Sequence, residues 1–215
     1  INDGQHRRAA IEAALRDNPE IGDESIAVVF FLDKGLERCQ QMFADLNRYA
    51  IRPSPSIGVL YDHRDTMAIL TRHFVLKSPF FRDIVEMERS SLSPRSRKLF
   101  TLSAFYGANN ALLENQNITG DGVQVAFVTD YWEEVAKSFP EWDMVRESKM
   151  SAGEVRQDFI HSHGIVLHAL GIVGRALIAE DKFWRKKLAK LKKINWSRSN
   201  TKLWEGRVFS AGRIS

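Results

Sequence analysis

Of the 215 residues, one stretch alone reads as a β-strand: residues 25–32, Ser-Ile-Ala-Val-Val-Phe-Phe-Leu, short, continuously apolar and rich in β-formers. A lone strand leaves its backbone donors and acceptors unpaired, so its sheet partners must lie upstream or come from elsewhere. Helical patterns flank it. Ala10, Ile11, Ala14 and Leu15 share one face of a first helix, which Asp17-Asn18-Pro19 should stop. Leu36, Cys39, Phe43, Leu46 and Ala50 follow at three- and four-residue spacing, ending before Pro53-Ser54-Pro55. Helix, strand and helix together look like part of an α/β unit. The chain opens at Ile1 without a methionine and reads as a piece whose N-terminal part is missing.

After Asp62 the strand signal fades, and helices are expected near 64–77, 79–89, 97–114, 122–139, 151–180 and 181–193. Residues 90–96, Ser-Ser-Leu-Ser-Pro-Arg-Ser, form the clearest loop, and Gly120 and Phe139-Pro140 punctuate the rest. Two domains follow, residues 1–62 and 63–215, in an α+β, helix-dominated fold.

Hydrophobic residues make up 44% of the chain, enough for a buried core and too many for wholesale disorder. The single cysteine, Cys39, excludes an internal disulfide and suits a reducing, cytoplasmic setting; on the apolar stripe it reads as an inert core thiol. The richest apolar run, 165–179, is interrupted by His168 and Arg175, so neither a spanning helix nor a membrane partner is expected. The net charge of +4 conceals an asymmetry: residues 182–202 hold nine Lys or Arg and no acid, and subtracting them leaves −5 on the remainder. A basic segment on an acidic body suits a localised polyanion-binding surface, with nucleic acid the first choice and an anionic membrane the second.

Asp3-Gly4-Gln5-His6-Arg7 opens the first helix. Gly4 permits a sharp turn, the N–H groups that follow attract an anion, and His6 and Arg7 add donors, Arg7 in a phosphate-matching fork. Asp3 suits a ribose hydroxyl or a metal on the phosphate. The same residues also suit a plain cap with solvated cations.

This pentapeptide resembles the name-giving motif of the DGQHR-domain family. Phe43-Ala44-Asp45-Leu46-Asn47-Arg48, with Pro53 beyond, is similar to that family's second motif, and the likeness runs on through Asn195-Trp196-Ser197-Arg198-Ser199 and Leu203-Trp204-Glu205-Gly206. The resemblance implies a remnant of a ParB/sulfiredoxin-like α/β domain followed by a helical region. It further implies a protein that accompanies the enzymes replacing a non-bridging DNA phosphate oxygen with sulfur, and that binds the promoter of their genes as a repressor. Sulfiredoxin carries a catalytic cysteine where Gln5 stands, so that chemistry is absent here, while phosphate or nucleotide binding by Gly4, Gln5, His6 and Arg7 survives. Asn47 and Arg48, near the end of the second helix, suit a ligand held by the first, or a simple C-terminal cap.

Trp184, Leu188 and Leu191 form the apolar stripe of an amphipathic helix whose cations point outward. Arg185, Lys186, Lys187, Lys190, Lys192, Lys193 and, beyond the helix, Arg198 are the expected DNA contacts, suited to phosphates more than to base edges. A solvated lysine face is the plainer reading. Arg89, Arg95, Arg97 and Lys98 make a weaker cluster that suits an exposed linker. His161, His163 and His168 lack metal-ligand spacing on one helix, and His163 falls on an apolar face with Val166 and Leu170, as a core histidine does.

The leading reading is thus a DNA-binding regulator of a phosphorothioation system, with double-stranded promoter DNA and other sulfur modification proteins as partners. The alternative is an enzyme that hydrolyses a nucleotide or nicks DNA. There Asp3, His6 and Arg7 would be catalytic and ATP or another nucleotide, with Mg, the cofactor.

Overall fold

The computed structural model describes residues 4–32, 35–48, 53–116, 120–180, 183–210 and 213–214, leaving out the side chains of 46–48, 121, 209–210 and 213–214. Two compact units divide between Arg52 and Pro53. The fold is helix-dominated, as the sequence leads one to expect, and a small parallel strand pair forms where helices are expected.

The first unit contains α1 (Gln5–Asp17), a 3-10 turn (Pro19–Asp23) and α2 (Leu36–Arg48). Asn18 ends α1, and its side chain accepts from the Glu20 N–H while Pro19 begins the turn. The expected strand at 25–32 does not form. Residues 24–32 are neither helix nor strand, and Phe30 and Leu32 are 90% and 82% exposed. Apolar β-formers make a strand only beside another strand, and among the described residues none pairs with them.

The second unit runs α3 (Pro55–Tyr61), α4 (Thr66–Lys77), β1 (Val85–Glu86), β2 (Phe100–Thr101), α5 (Leu102–Leu113), α6 (Asp121–Ala136), α7 (Pro140–Arg146), α8 (Ala152–Asp158), α9 (Gly164–Glu180), α10 (Trp184–Leu188) and α11 (Thr201–Trp204), then a hairpin of β3 (Phe209–Ser210) and β4 (Arg213–Ile214). Three expected helices are corrected. At 79–89, turns lead into β1, and at 97–114, β2 precedes α5, because Leu99 and Phe100 donate to the Ile84 carbonyl and start a parallel ladder. The expected helix at 151–180 is two, α8 and α9. Between them Ile160 donates to the Trp196 carbonyl and Phe159 bridges to Ser197, so a distant segment takes over the backbone groups that a continuous helix would use.

The core forms around α5. Phe105 meets Phe74, Phe81, Phe100 and Trp132 with ring centroids 5.2 Å apart, all edge to face. The polar groups at its centre are satisfied: the Trp132 indole donates to Asn109 Oδ1 at 2.7 Å, and Asn109 donates to Thr71 at 3.1 Å. Arg72, buried, points its guanidinium at the carbonyls of Val59, Leu60 and Asp62, closing the C-terminal end of α3.

α5 and α9 lie side by side in the same direction. Gly164 meets Ala104, Gly107 meets His168, and Gly171 meets Ala108 and Ala111, so the pairs climb both helices together. At Gly171 a Cβ would overlap the Ala108 carbonyl oxygen, and at Gly174 one would overlap the Tyr131 ring. Gly171→Ala should therefore cost about 1–3 kcal/mol, read as a lower denaturation midpoint; an unchanged midpoint would contradict this packing.

The Trp142 indole N–H donates to His161 Nδ1 at 2.9 Å, so the neutral ring carries its proton on Nε2. Nε2 faces Glu141 Oε2 at 3.4 Å, an electrostatic contact aligned too poorly for a hydrogen bond. Burial pushes His161 and His163 below the ordinary histidine value of 6.5, and the His161 contact holds Glu141 below its ordinary 4.5. Below about pH 6.5 the unfolded chain thus binds more protons than the folded one, and stability falls as pH falls. The melting temperature should drop between about pH 7 and about pH 5, and a flat profile would refute the neutral histidines.

Candidate nucleic-acid interface

The opening motif begins a helix as its residues demand. Gly4 sits at the N-cap of α1 with φ +101°, a left-handed conformation that a side chain would resist. Its carbonyl accepts from the Arg8 N–H at 2.8 Å. Gln5, His6 and Arg7 occupy the exposed first turn, which contains no acid, and Arg8 pairs with Glu12 at 2.7 Å. The positive end of the α1 dipole thus carries two further basic side chains. Asp3 and the side chains of Asn47 and Arg48 lie outside the described residues. Cys39 is half-buried on α2.

The basic tail folds as α10 followed by a 3-10 turn, Ala189–Lys193. Trp184 and Leu188 are buried and Leu191 packs on the core, so the apolar stripe docks as expected. This fixes where the cations stand. Arg185 stacks over the Trp184 ring at 4.4 Å and pairs with Asp130. Lys187 reaches Glu180 at 3.9 Å, and Lys186 lies 5.3 Å above the Phe183 ring. Lys190, Lys192 and Lys193 are exposed. Among the described residues no carboxylate pairs with these three or with Lys186, while Lys182 lies outside those residues. The seven expected contacts therefore separate into Arg185 and Lys187, which carboxylates partly neutralise, an open lysine face, and Arg198.

Arg198 belongs to a different surface. The Arg198 N–H donates to the Asp158 carbonyl at 2.8 Å, and Trp196 stacks on Trp204 with centroids 5.2 Å apart. These contacts place Arg198 in the wall of an open cleft of about 610 Å³, with Ser90, Thr101, Ser103, Arg156, Ser162, His163 and Gly164. Arg156 is spent on architecture. Its guanidinium donates to the carbonyls of Lys98, Ser93, Pro94 and Ser96 and so ties down the serine-rich loop. The weaker basic cluster around that loop is thereby organised by Arg156, and Lys98 donates to the Asp83 carbonyl at 2.9 Å.

Sequence reasoning missed this cleft because it ran a single helix across Ser162-His163-Gly164, hiding the start of α9. Among the described residues no three His, Cys, Asp or Glu side chains gather as a metal site, and no helix is long and apolar enough to cross a membrane.

No curated protein and no solved structure matches the chain. The family model of DndB, described as DNA-sulfur modification-associated, matches residues 1–215. With a match over its whole length, the chain belongs to the DndB family, and its work lies in DNA sulfur modification.

Proposed function

We propose that the protein is a DNA-binding regulator that represses the genes of a DNA phosphorothioate modification system. In this reading residues 1–62 supply a ParB/sulfiredoxin-like domain and residues 63–215 a helical domain that grips double-stranded promoter DNA. The observation that carries the proposal is the lysine face: Lys186, Lys190, Lys192 and Lys193 stand on a segment whose apolar side is anchored by Trp184 and Leu188. A docked segment keeps its cations in register, which suits neutralisation of successive phosphates and release of their counterions. A family whose work concerns DNA sulfur chemistry makes duplex DNA the fitting polyanion.

The test is duplex affinity measured across salt concentrations. The intact chain should lose affinity steeply with salt. Reversing charge at Lys186, Lys190 and Lys193 should make the log–log slope shallower by about 3. An unchanged slope would remove this face from the interface.

A second reading is favoured by one observation: left-handed Gly4 starts a helix whose acid-free first turn presents His6 and Arg7. That arrangement suits a nucleotide phosphate, and with it an ATPase or DNA-nicking activity in support of modification. Arg7→Ala should then reduce nucleotide turnover or nicking by about 100-fold, and equal rates would dismiss the activity.

A further inference from the structure

The serine-rich loop between β1 and β2 is not built as a linker. Its first stem is held by the start of α3: the Ser54 hydroxyl donates to the Glu88 carbonyl, the Ser56 hydroxyl donates to the Arg89 carbonyl at 3.0 Å, and the Ser56 N–H donates to the Ser90 hydroxyl at 3.1 Å. Its far side is held by α8, where the Arg156 guanidinium reaches the carbonyls of Ser93, Pro94, Ser96 and Lys98. Pro94 lies so close to α8 that a Cβ at Gly153 would fall 2.3 Å from its carbonyl oxygen. Within the loop the Ser96 N–H donates to the Ser93 carbonyl at 3.0 Å. A backbone tied at so many points is preorganised for contact.

What this fixed backbone presents is arginine. Residues 89–98 contain Arg89, Arg95, Arg97 and Lys98 and no acid. Arg89, Arg95 and Arg97 are exposed, and among the described residues no carboxylate, carbonyl or ring engages their side chains. The acids nearby are committed elsewhere: Glu86 accepts from the N–H groups of Glu88 and Arg89, Asp83 pairs with Arg82, and Glu154 closes the capping box of α8. Glu88 stands exposed in the stem and pairs with none of the three. Elsewhere in the second unit Arg72, Arg146, Arg175 and Arg185 are each held by a carbonyl or a carboxylate. An arginine without a partner inside the fold keeps its planar donor fork for something outside it. The loop also adjoins the basic tail: Ser90, Leu92 and Pro94 line the same open cleft as Arg198, five residues beyond Lys193, and no carboxylate lines it.

We infer that this loop is the sequence-reading element of the protein, with Arg89, Arg95 and Arg97 directed at guanine O6 and N7 in the major groove of a DNA duplex that the lysine face holds by its phosphates. The inference rests on the reading of the protein as a duplex-binding regulator and adds to it which residues select the site. Lysine ammonium groups neutralise phosphates whatever the sequence, so the lysine face by itself gives no selection. The arginine fork matches the two guanine acceptors, the commonest specific contact in the major groove, and a fixed loop loses little freedom in making it.

The experiment is selection by the full chain from a pool of DNA duplexes with a randomised centre, the bound fraction being sequenced and affinities measured across salt concentrations. The intact chain should enrich a motif that contains guanines. The combined variant Arg89→Lys, Arg95→Lys and Arg97→Lys keeps every charge and removes the forks. It should bind the unselected pool with the intact chain's salt slope, yet lose about tenfold or more of the preference for the enriched motif. Charge reversal at Lys190 and Lys193 should weaken binding to selected and unselected duplexes alike. Duplex binding without enrichment, or enrichment unaltered in the lysine-for-arginine variant, would overturn the inference and leave the duplex-binding reading standing. Absence of duplex binding would remove both. The variant should melt at the intact chain's temperature, because these side chains have no partner in the fold to lose; a lower melting temperature would assign them to architecture and overturn the inference too.

Discussion

The parallel contact of α5 with α9 is the constraint on which the second unit depends. Glycine at 171 lets the backbone of one helix rest against the Ala108 carbonyl of the other, and no larger residue permits that approach. From this contact the rest follows in order. α5 carries Phe105 and Asn109 into the aromatic and polar centre of the core, while Tyr131 of α6 closes over Gly174 and donates to the Leu170 carbonyl at 2.6 Å. The same contact brings two helix N-termini together, neither with an acid in its first turn.

A second layer of contacts converts that packed pair into surfaces. Backbone bonds from Ile160 and Arg198 stitch residues 158–160 to 196–198, ending α8, beginning α9 and placing Arg198 in the cleft wall. Trp184 and Leu188 hold the cationic segment by its apolar side and leave the lysines outside. The lysine face presents its charge on long side chains held in register by the docked segment, which suits a repetitive polyanion.

Much of this was legible in the chain. The amphipathic pattern around Trp184, the left-handed turn at Gly4, the stop at Asn18-Pro19, the family kinship carried by Asp3-Gly4-Gln5-His6-Arg7 and the surplus of lysine over acid all depend on neighbours within a few residues. What escaped depends on neighbours far away. Residues 25–32 have strand chemistry but no ladder, and residues 97–101 have helix chemistry but pair with Ile84. His161 reads only as one of three histidines without metal-ligand spacing, and the Trp142 indole that fixes it in the core lies on α7.

The amino-acid sequence by itself determined that this chain is helical, that its cations gather near one end and that its opening pentapeptide starts a helix. Each of these rests on periodicity, charge count or a glycine's backbone freedom, which are local properties. Only the tertiary structure decided which lysines stand open, where the expected helix at 151–180 divides into two and which hydroxyl is left without a partner. Those outcomes are set by hydrogen bonds and packing between segments dozens of residues apart, such as Ile160 with Trp196 and Ala108 with Gly171, and no local pattern encodes them.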